Sequence, residues 1–281
     1  MTGPSESGKS KVGPNPYVGP RSFEEDEEAN FFGRDEETAI LEGLVMARRA
    51  TLFFAQSGAG KSSLLKAGLI PRLTRQMMIG RGKRQRIYQK MQVLPVASVG
   101  GTPPENLGDS IANIYVFNAL FSLNPQADPE TLVGQTLSAG LAASILAKGR
   151  SSAITPTSSK RVNDPSQPPH GEPSALSETY QQGDTDPSTP SVPHRPDISP
   201  STPEKEISAL FILDQFEELF TQHPAHWLER EDFFHQVGQA LRDQPDLRVL
   251  FTMREDYIAE LTPFAHLLPD ELRSRFRLEP L

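Results

Sequence analysis

The sequence predicts an α/β fold, a parallel β-sheet covered by helices on both faces. Three observations predict it. Apolar runs of strand length alternate with stretches of helical periodicity. The run Ala209–Leu213 is apolar throughout, as a parallel strand buried on both faces must be. A third run, Thr51–Phe54, leads through a loop of small residues straight into a helix beginning at Ser62.

The elements follow in order. Asn30-Phe-Phe-Gly33-Arg34 reads as a turn, and the acid-rich Asp35-Glu-Glu37 as the start of a helix whose positive dipole end it complements. Thr51–Phe54 is the first strand, followed by a helix from Ser62 to about Ile70. Gln92–Val99 is a second strand, placed at an edge by Pro95, which cannot donate to a neighbour. Leu107, Ile111, Ile114, Tyr115 and Phe117 give a helix from about Glu105 to Leu120 a broad apolar face. Ala209–Leu213 is the third strand. Phe233, Phe234, Val237 and Leu241 recur at helical spacing within Leu228–Arg242. Leu247–Thr252 is a fourth strand and Phe276–Leu278 a short fifth.

Composition changes sharply at Ser151. Eleven of the 56 residues from there to Glu206 are proline, and Phe and Trp are absent, so the segment has too little apolar surface to offset its ordering entropy. It is expected to be a disordered insertion looping out of one domain that spans 15–281, with 1–14 a flexible tail. A linker between two independent domains is the weaker alternative, because the residues on either side complete one another's chemistry.

A net charge of −8 argues against general attraction to nucleic acid or to a membrane surface. The absence of cysteine excludes disulfides and thiolate metal sites. No secretion signal opens the chain, and no apolar run approaches the ~18 residues of a membrane span. These features predict a soluble, cytoplasmic protein.

The chemistry concentrates in Ala55-Gln-Ser57-Gly58-Ala59-Gly60-Lys61-Ser62-Ser63. Small residues between a strand and a helix let successive backbone N–H groups turn inward around phosphate oxygens, while the helix N-terminus faces the same anion. Lys61 reaches the β- and γ-phosphates of a nucleoside triphosphate, and the Ser62 hydroxyl takes a place on Mg²⁺. Ala55 stands where the usual pattern has glycine, which is acceptable provided its backbone needs no positive φ. A second Ser-Gly-Lys-Ser run at Ser7–Ser10 has no strand before it and reads as an accident of the tail.

The third strand ends in Leu213-Asp214-Gln-Phe-Glu217-Glu218. Ligands bind where parallel strands end, so Asp214 is placed to hold Mg²⁺, and Glu217 or Glu218 to orient or deprotonate a water. The bland alternative is that both glutamates only begin a solvated helix. The fourth strand ends in Arg254-Glu-Asp256, where Arg254 either stabilises the γ-phosphate or pairs with its acidic neighbours. Two charged runs, Glu24–Glu28 and Arg81–Arg86, read as solvated surface; no interleaved aromatics make the basic one a nucleic-acid site.

Taken together, Asn15–Phe23, Phe32–Glu36, Ser57–Pro71, Ile212–Phe220, Thr252–Tyr257 and Arg275–Pro280 resemble the novel STAND NTPase domain of bacterial signalling proteins. The resemblance implies a three-layer P-loop NTPase core of the additional-strand type, with sheet order 5-1-4-3-2. It also implies adenine and ribose contacts from Gly33 and Arg34, and γ-phosphate sensing by Arg254. Members rest with ADP and form homo-oligomers when ATP replaces it. They continue into sensor repeats, so the sensor and effector are expected on segments outside this sequence or on other chains. The function expected is an ATP-binding, slowly hydrolysing switch. A non-catalytic nucleotide-binding scaffold, a fragment inactive without its sensor region, and a motor-type or GTP-specific enzyme are the rivals. No guanine-reading motif follows the fourth strand.

Overall fold

The computed structural model describes residues 21–79, 86–88, 91–152 and 208–280. The expected tail, its Ser-Gly-Lys-Ser run, the stretch Asn15–Pro20, the basic loop before Arg86 and the insertion from residue 153 onward lie outside them.

Five parallel strands form the main sheet: β1 (Ala50–Ala55), β4 (Gln92–Val93), β5 (Ala209–Leu213), β6 (Leu247–Arg254) and β7 (Arg275–Leu278). A two-stranded antiparallel hairpin, β2 (Met77–Ile79) with β3 (Arg86–Tyr88), stands apart from it. Neighbours in the sheet run β4-β5-β6-β1-β7. Counted within this sheet alone, that is second, third, fourth, first, fifth, which is 5-1-4-3-2 read from the other edge. The third and fourth strands thereby separate the first from the second, the arrangement that brings an acidic strand end close to a phosphate loop.

Period-two alternation sorts the strand side chains into two cores. Leu52, Phe211, Leu213, Val249, Phe251 and Met253 face one side, where α4 (Ile114–Leu123), α5 (Leu137–Ser152) and α7 (Glu229–Asp243) cover them. Phe53, Ala55, Leu210, Ile212 and Leu250 face the other, beneath α1 (Asp35–Ala47) and the helical run after β1. That run comprises α2 (Lys61–Ser63), a π-helical stretch Leu64–Leu69 and α3 (Ile70–Thr74). Every side chain of β5 is buried, as its unbroken apolar run requires.

Several boundaries differ from expectation for local reasons. The second strand is cut to two residues at the sheet edge, because exposed Pro95 interrupts it; only a bridge from Ala97 to Leu213 resumes the pairing. The expected helix over 105–120 is a 3₁₀ segment, Glu105–Ser110, followed by a separate α4. Asn113 caps α4, its side chain accepting from the amides of Tyr115 and Val116, both at 3.1 Å. Helix α5 runs through Ser152, two residues into the expected insertion. The acidic run Glu24–Glu28 is not merely solvated. It lies in and beside a 3₁₀ turn, Glu25–Asn30, where Glu24 pairs with Lys66, Glu27 with Arg21 and Glu28 with Arg75.

Candidate active site

The phosphate loop begins where β1 ends. Ala55 is fully buried, extended, and paired in register with Arg254 on one side and Leu278 on the other. It needs no positive φ, so alanine serves where the usual motif has glycine. The left-handed positions fall instead on Gly58 (φ 80°) and Gly60 (φ 92°), where a side chain would be strained. Gln56, Ser57, Gly58 and Gly60 are exposed and Ala59 is buried, with the Ala59 amide closing a turn on the Gln56 carbonyl at 3.3 Å. Gly60 opens α2, so the amides of Lys61, Ser62 and Ser63 have no acceptor within the helix and are available to an anion.

Lys61 Nζ lies 3.5 Å from the Ala55 carbonyl oxygen, folded back over its own loop. Burial pushes its ammonium below the ordinary lysine range, and the carboxylates of Glu217 and Asp214 pull it part of the way back. The loop lysine and the acidic end of β5 therefore share one electrostatic environment.

The turn after β5 explains why Asp-Gln-Phe-Glu-Glu follows an apolar strand. Gln215 adopts a left-handed conformation (φ 51°), reversing the chain. Phe216 drops into the core against Phe251 (ring centroids 4.8 Å apart) and Phe234 (5.7 Å), and its amide donates to the Thr252 carbonyl at 2.8 Å. Asp214 Oδ1 accepts from the Thr252 hydroxyl and from the Gln215 amide at 3.0 Å, which orients the carboxylate through that oxygen.

The two glutamates part company. Glu217 Oε2 accepts from the Arg254 amide at 3.1 Å, beside the strand paired with the phosphate loop. Glu218, first residue of α6 (Glu218–Thr221), turns the other way, and its Oε2 accepts from the Ser98 hydroxyl at 2.5 Å. Arg254 pairs with Asp256 at 2.5 Å and stacks over Tyr257, its guanidinium carbon 5.7 Å from the ring centroid. Its Nε is buried without a hydrogen-bond partner. The local pairing weighed from the sequence is thus present, beside Glu217.

Gly33 (φ 83°) and Arg34 lie at the start of α1. Arg34 is only 5% exposed; its guanidinium donates to Glu37 Oε1 at 2.8 Å and approaches the Ala59 carbonyl at 3.5 Å. The side chain is thus committed to its own helix and to the phosphate loop. The Ser63 hydroxyl accepts from the Phe23 amide at 3.1 Å, anchoring the N-terminal segment on the loop helix. Sequence reasoning missed Thr252, Phe216 and Ser98. Thr252 had a signal, a hydroxyl inside an otherwise apolar strand end one position past Phe251, which pairs with Leu213. Ser98 and Phe216 had none, since their partners are distant in sequence.

The family model described as Novel STAND NTPase 1 matches residues 16–281. The chain belongs to this family. A STAND NTPase is a nucleotide-binding module, and these residues fit that ligand. An exposed glycine turn, free helix-start amides and a half-buried lysine lie in the field of the Glu217 and Asp214 carboxylates. Among the described residues no three or more His, Asp or Glu side chains form a metal site of their own. Mg²⁺ in such a module needs only one or two protein ligands, the remainder being phosphate and water. No curated protein matches the chain. Among solved structures it matches the Walker-type ATPase of Pyrococcus abyssi at 12% identity and a TM-score of 0.46, covering 95% of this chain and 57% of that one. The STAND chain therefore spans little more than half the length of that structure. No helix among the described residues is long and apolar enough to cross a membrane.

Proposed function

We propose that this STAND module binds ATP with Mg²⁺, hydrolyses it slowly, and acts as a molecular switch in signal transduction. The observation that carries the reading is that the charges of Asp214 and Glu217, both in the turn after β5, act on Lys61 of the loop after β1, while hydrogen bonds tie the same two carboxylates to Thr252 and Arg254 at the end of β6.

The amides of Ser57–Ser63 cradle the β- and γ-phosphates, and Lys61 supplies a desolvated positive charge to them. Ser62 and Asp214 would hold Mg²⁺. When bound, that ion neutralises charge developing on the transferred phosphoryl group. Glu217 orients the attacking water and accepts its proton, because it is the glutamate whose charge acts on Lys61 and which is held at the end of β6. Arg254 leaves Asp256 for the γ-phosphate, a charge-assisted exchange that makes it a sensor of nucleotide state. Gly33 presents open backbone to adenine and ribose, while Arg34 supports the phosphate loop from behind. Homo-oligomerisation on activation, a cytoplasmic setting, and sensor or effector segments outside this sequence complete the reading.

Steady-state hydrolysis with parallel binding measurements tests it. Glu217→Gln is expected to retain Mg-ATP affinity and to lose about 100-fold or more in turnover. Glu218→Gln, whose amide oxygen still accepts from Ser98, is expected to stay within about threefold of wild type. Full turnover in Glu217→Gln removes that residue from the catalytic role.

A further inference from the structure

We propose that Ser98 is a positioning residue for hydrolysis: by seating Glu218, it fixes the first turn of α6 and keeps Glu217 facing Lys61. The inference rests on the assignment of Glu217 as the water-orienting carboxylate.

The geometry of the seat is specific. The Ser98 hydroxyl oxygen accepts from the Gly100 amide at 3.1 Å, which leaves its proton to donate to Glu218 Oε2 at 2.5 Å. Hydrogen bonds to an ionised carboxylate are about twice as strong as neutral ones. Ser98 is itself held in place. Its amide donates to the Ser122 hydroxyl on α4 at 3.3 Å, and the preceding Ala97 carbonyl accepts from the Asp214 amide at 2.9 Å. The Gly101 carbonyl accepts from the Asn118 amide group at 2.7 Å and bonds a ring nitrogen of His223 at 2.8 Å. The turn 98–101 is thus braced from α4 and from the loop beyond α6.

Glu218 lies flush against this turn. A β-carbon on Gly100 would stand 2.7 Å from both Cβ and Cδ of Glu218, closer than real contacts allow. The only room is for glycine. On the opposite flank, Glu217 is tied to the Arg254 amide. A four-residue helix has no intrinsic stability, so α6 takes its orientation from these two tethers and from burial of Phe216 and Leu219. Releasing the Ser98 tether lets the turn roll about the other, and a displacement of about 1 Å in a catalytic group costs up to about 100-fold in rate.

The test compares kcat for ATP hydrolysis with Kd for Mg-ATP in purified full chain. Ser98→Ala and Gly100→Ala are each expected to lower kcat about tenfold while leaving Kd within about twofold of wild type. Ser98→Thr, which keeps the hydroxyl, restores turnover. Combining Ser98→Ala with Glu218→Ala costs no more than either alone, since both remove one interaction. Wild-type kcat in Ser98→Ala, equal losses in kcat and affinity, or failure of threonine to rescue overturns the inference. If Glu217→Gln is inactive while Ser98→Ala is normal, the inference alone fails. If Glu217→Gln turns over at the wild-type rate, the assignment beneath it fails as well.

Discussion

Lys61 holds its charge in a setting that resists it. Desolvation lowers its pKa, and the carboxylates of Glu217, Asp214 and Asp256 oppose the shift. Phosphate oxygens bind the ammonium form, so nucleotide affinity is linked to the protonation of this one group. The sign is fixed: affinity is full while Lys61 is protonated and falls as pH rises through its pKa in the free protein. That midpoint should lie below the ordinary lysine value of about 10.4. Titrating ATP affinity from pH 7 to 11 reads it directly; a midpoint at or above the ordinary lysine value of about 10.4 contradicts the half-buried placement. Asp214 is oriented by hydrogen bonds from the Thr252 hydroxyl and the Gln215 amide. At this scale the sequence identified Lys61, Ser62, Asp214, Glu217 and Arg254 as candidates, because strand ends carry ligand chemistry in parallel sheets. It left Glu217 and Glu218 equivalent, since their divergence depends on Ser98 and Arg254, 120 and 37 positions away.

Among the elements, the turn after β5 contributes most to the site, and Phe216 is its keystone. Its ring joins Phe251, Phe234 and Phe233 in the core between the sheet and α7. Phe216→Ala should destabilise the fold by about 3–5 kcal/mol, read by urea unfolding. It should also reduce hydrolysis in the remaining folded protein, because Asp214 and Glu217 flank the lost anchor. A loss below about 1 kcal/mol would mean that the turn is held by other contacts. Strand identities were legible because apolar runs and their polar ends are local signals. The second strand and the helix after it were misjudged in length. Pro95, read as the mark of an edge, also ends the pairing, and Asn113 starts α4, which a periodicity argument overlooks. Helix α5 and the β2–β3 hairpin escaped notice: α5 is rich in small residues with a weak apolar stripe, and each hairpin strand is three residues long.

Across the whole molecule, the segment Arg21–Asn30 straps the phosphate-loop helix through Phe23 to Ser63 and through two ion pairs, Glu24–Lys66 and Glu28–Arg75, while Arg21–Glu27 braces the strap itself. Exposed pairs contribute little singly, so the strap should be the first part to detach. The Arg21 guanidinium beside Glu27 lowers its carboxyl to about 2. A lowered carboxylate pKa adds stability above the unfolded value, and that stability is lost as pH falls toward the folded one. Between about pH 4.5 and 2, and equally in high salt, amide exchange at Phe23 should accelerate while that at Leu52 stays slow. Simultaneous release of both would show that strap and sheet unfold together. The order of the sheet was legible only through family resemblance, because composition and periodicity name strands without saying which lie side by side.

The most direct single measurement is calorimetric titration of Mg-ATP into the wild-type chain and into Lys61→Ala. One site per chain in the wild type, with binding lost in the variant, is the predicted result. Equal affinity in the two proteins would contradict the assignment of the phosphate loop.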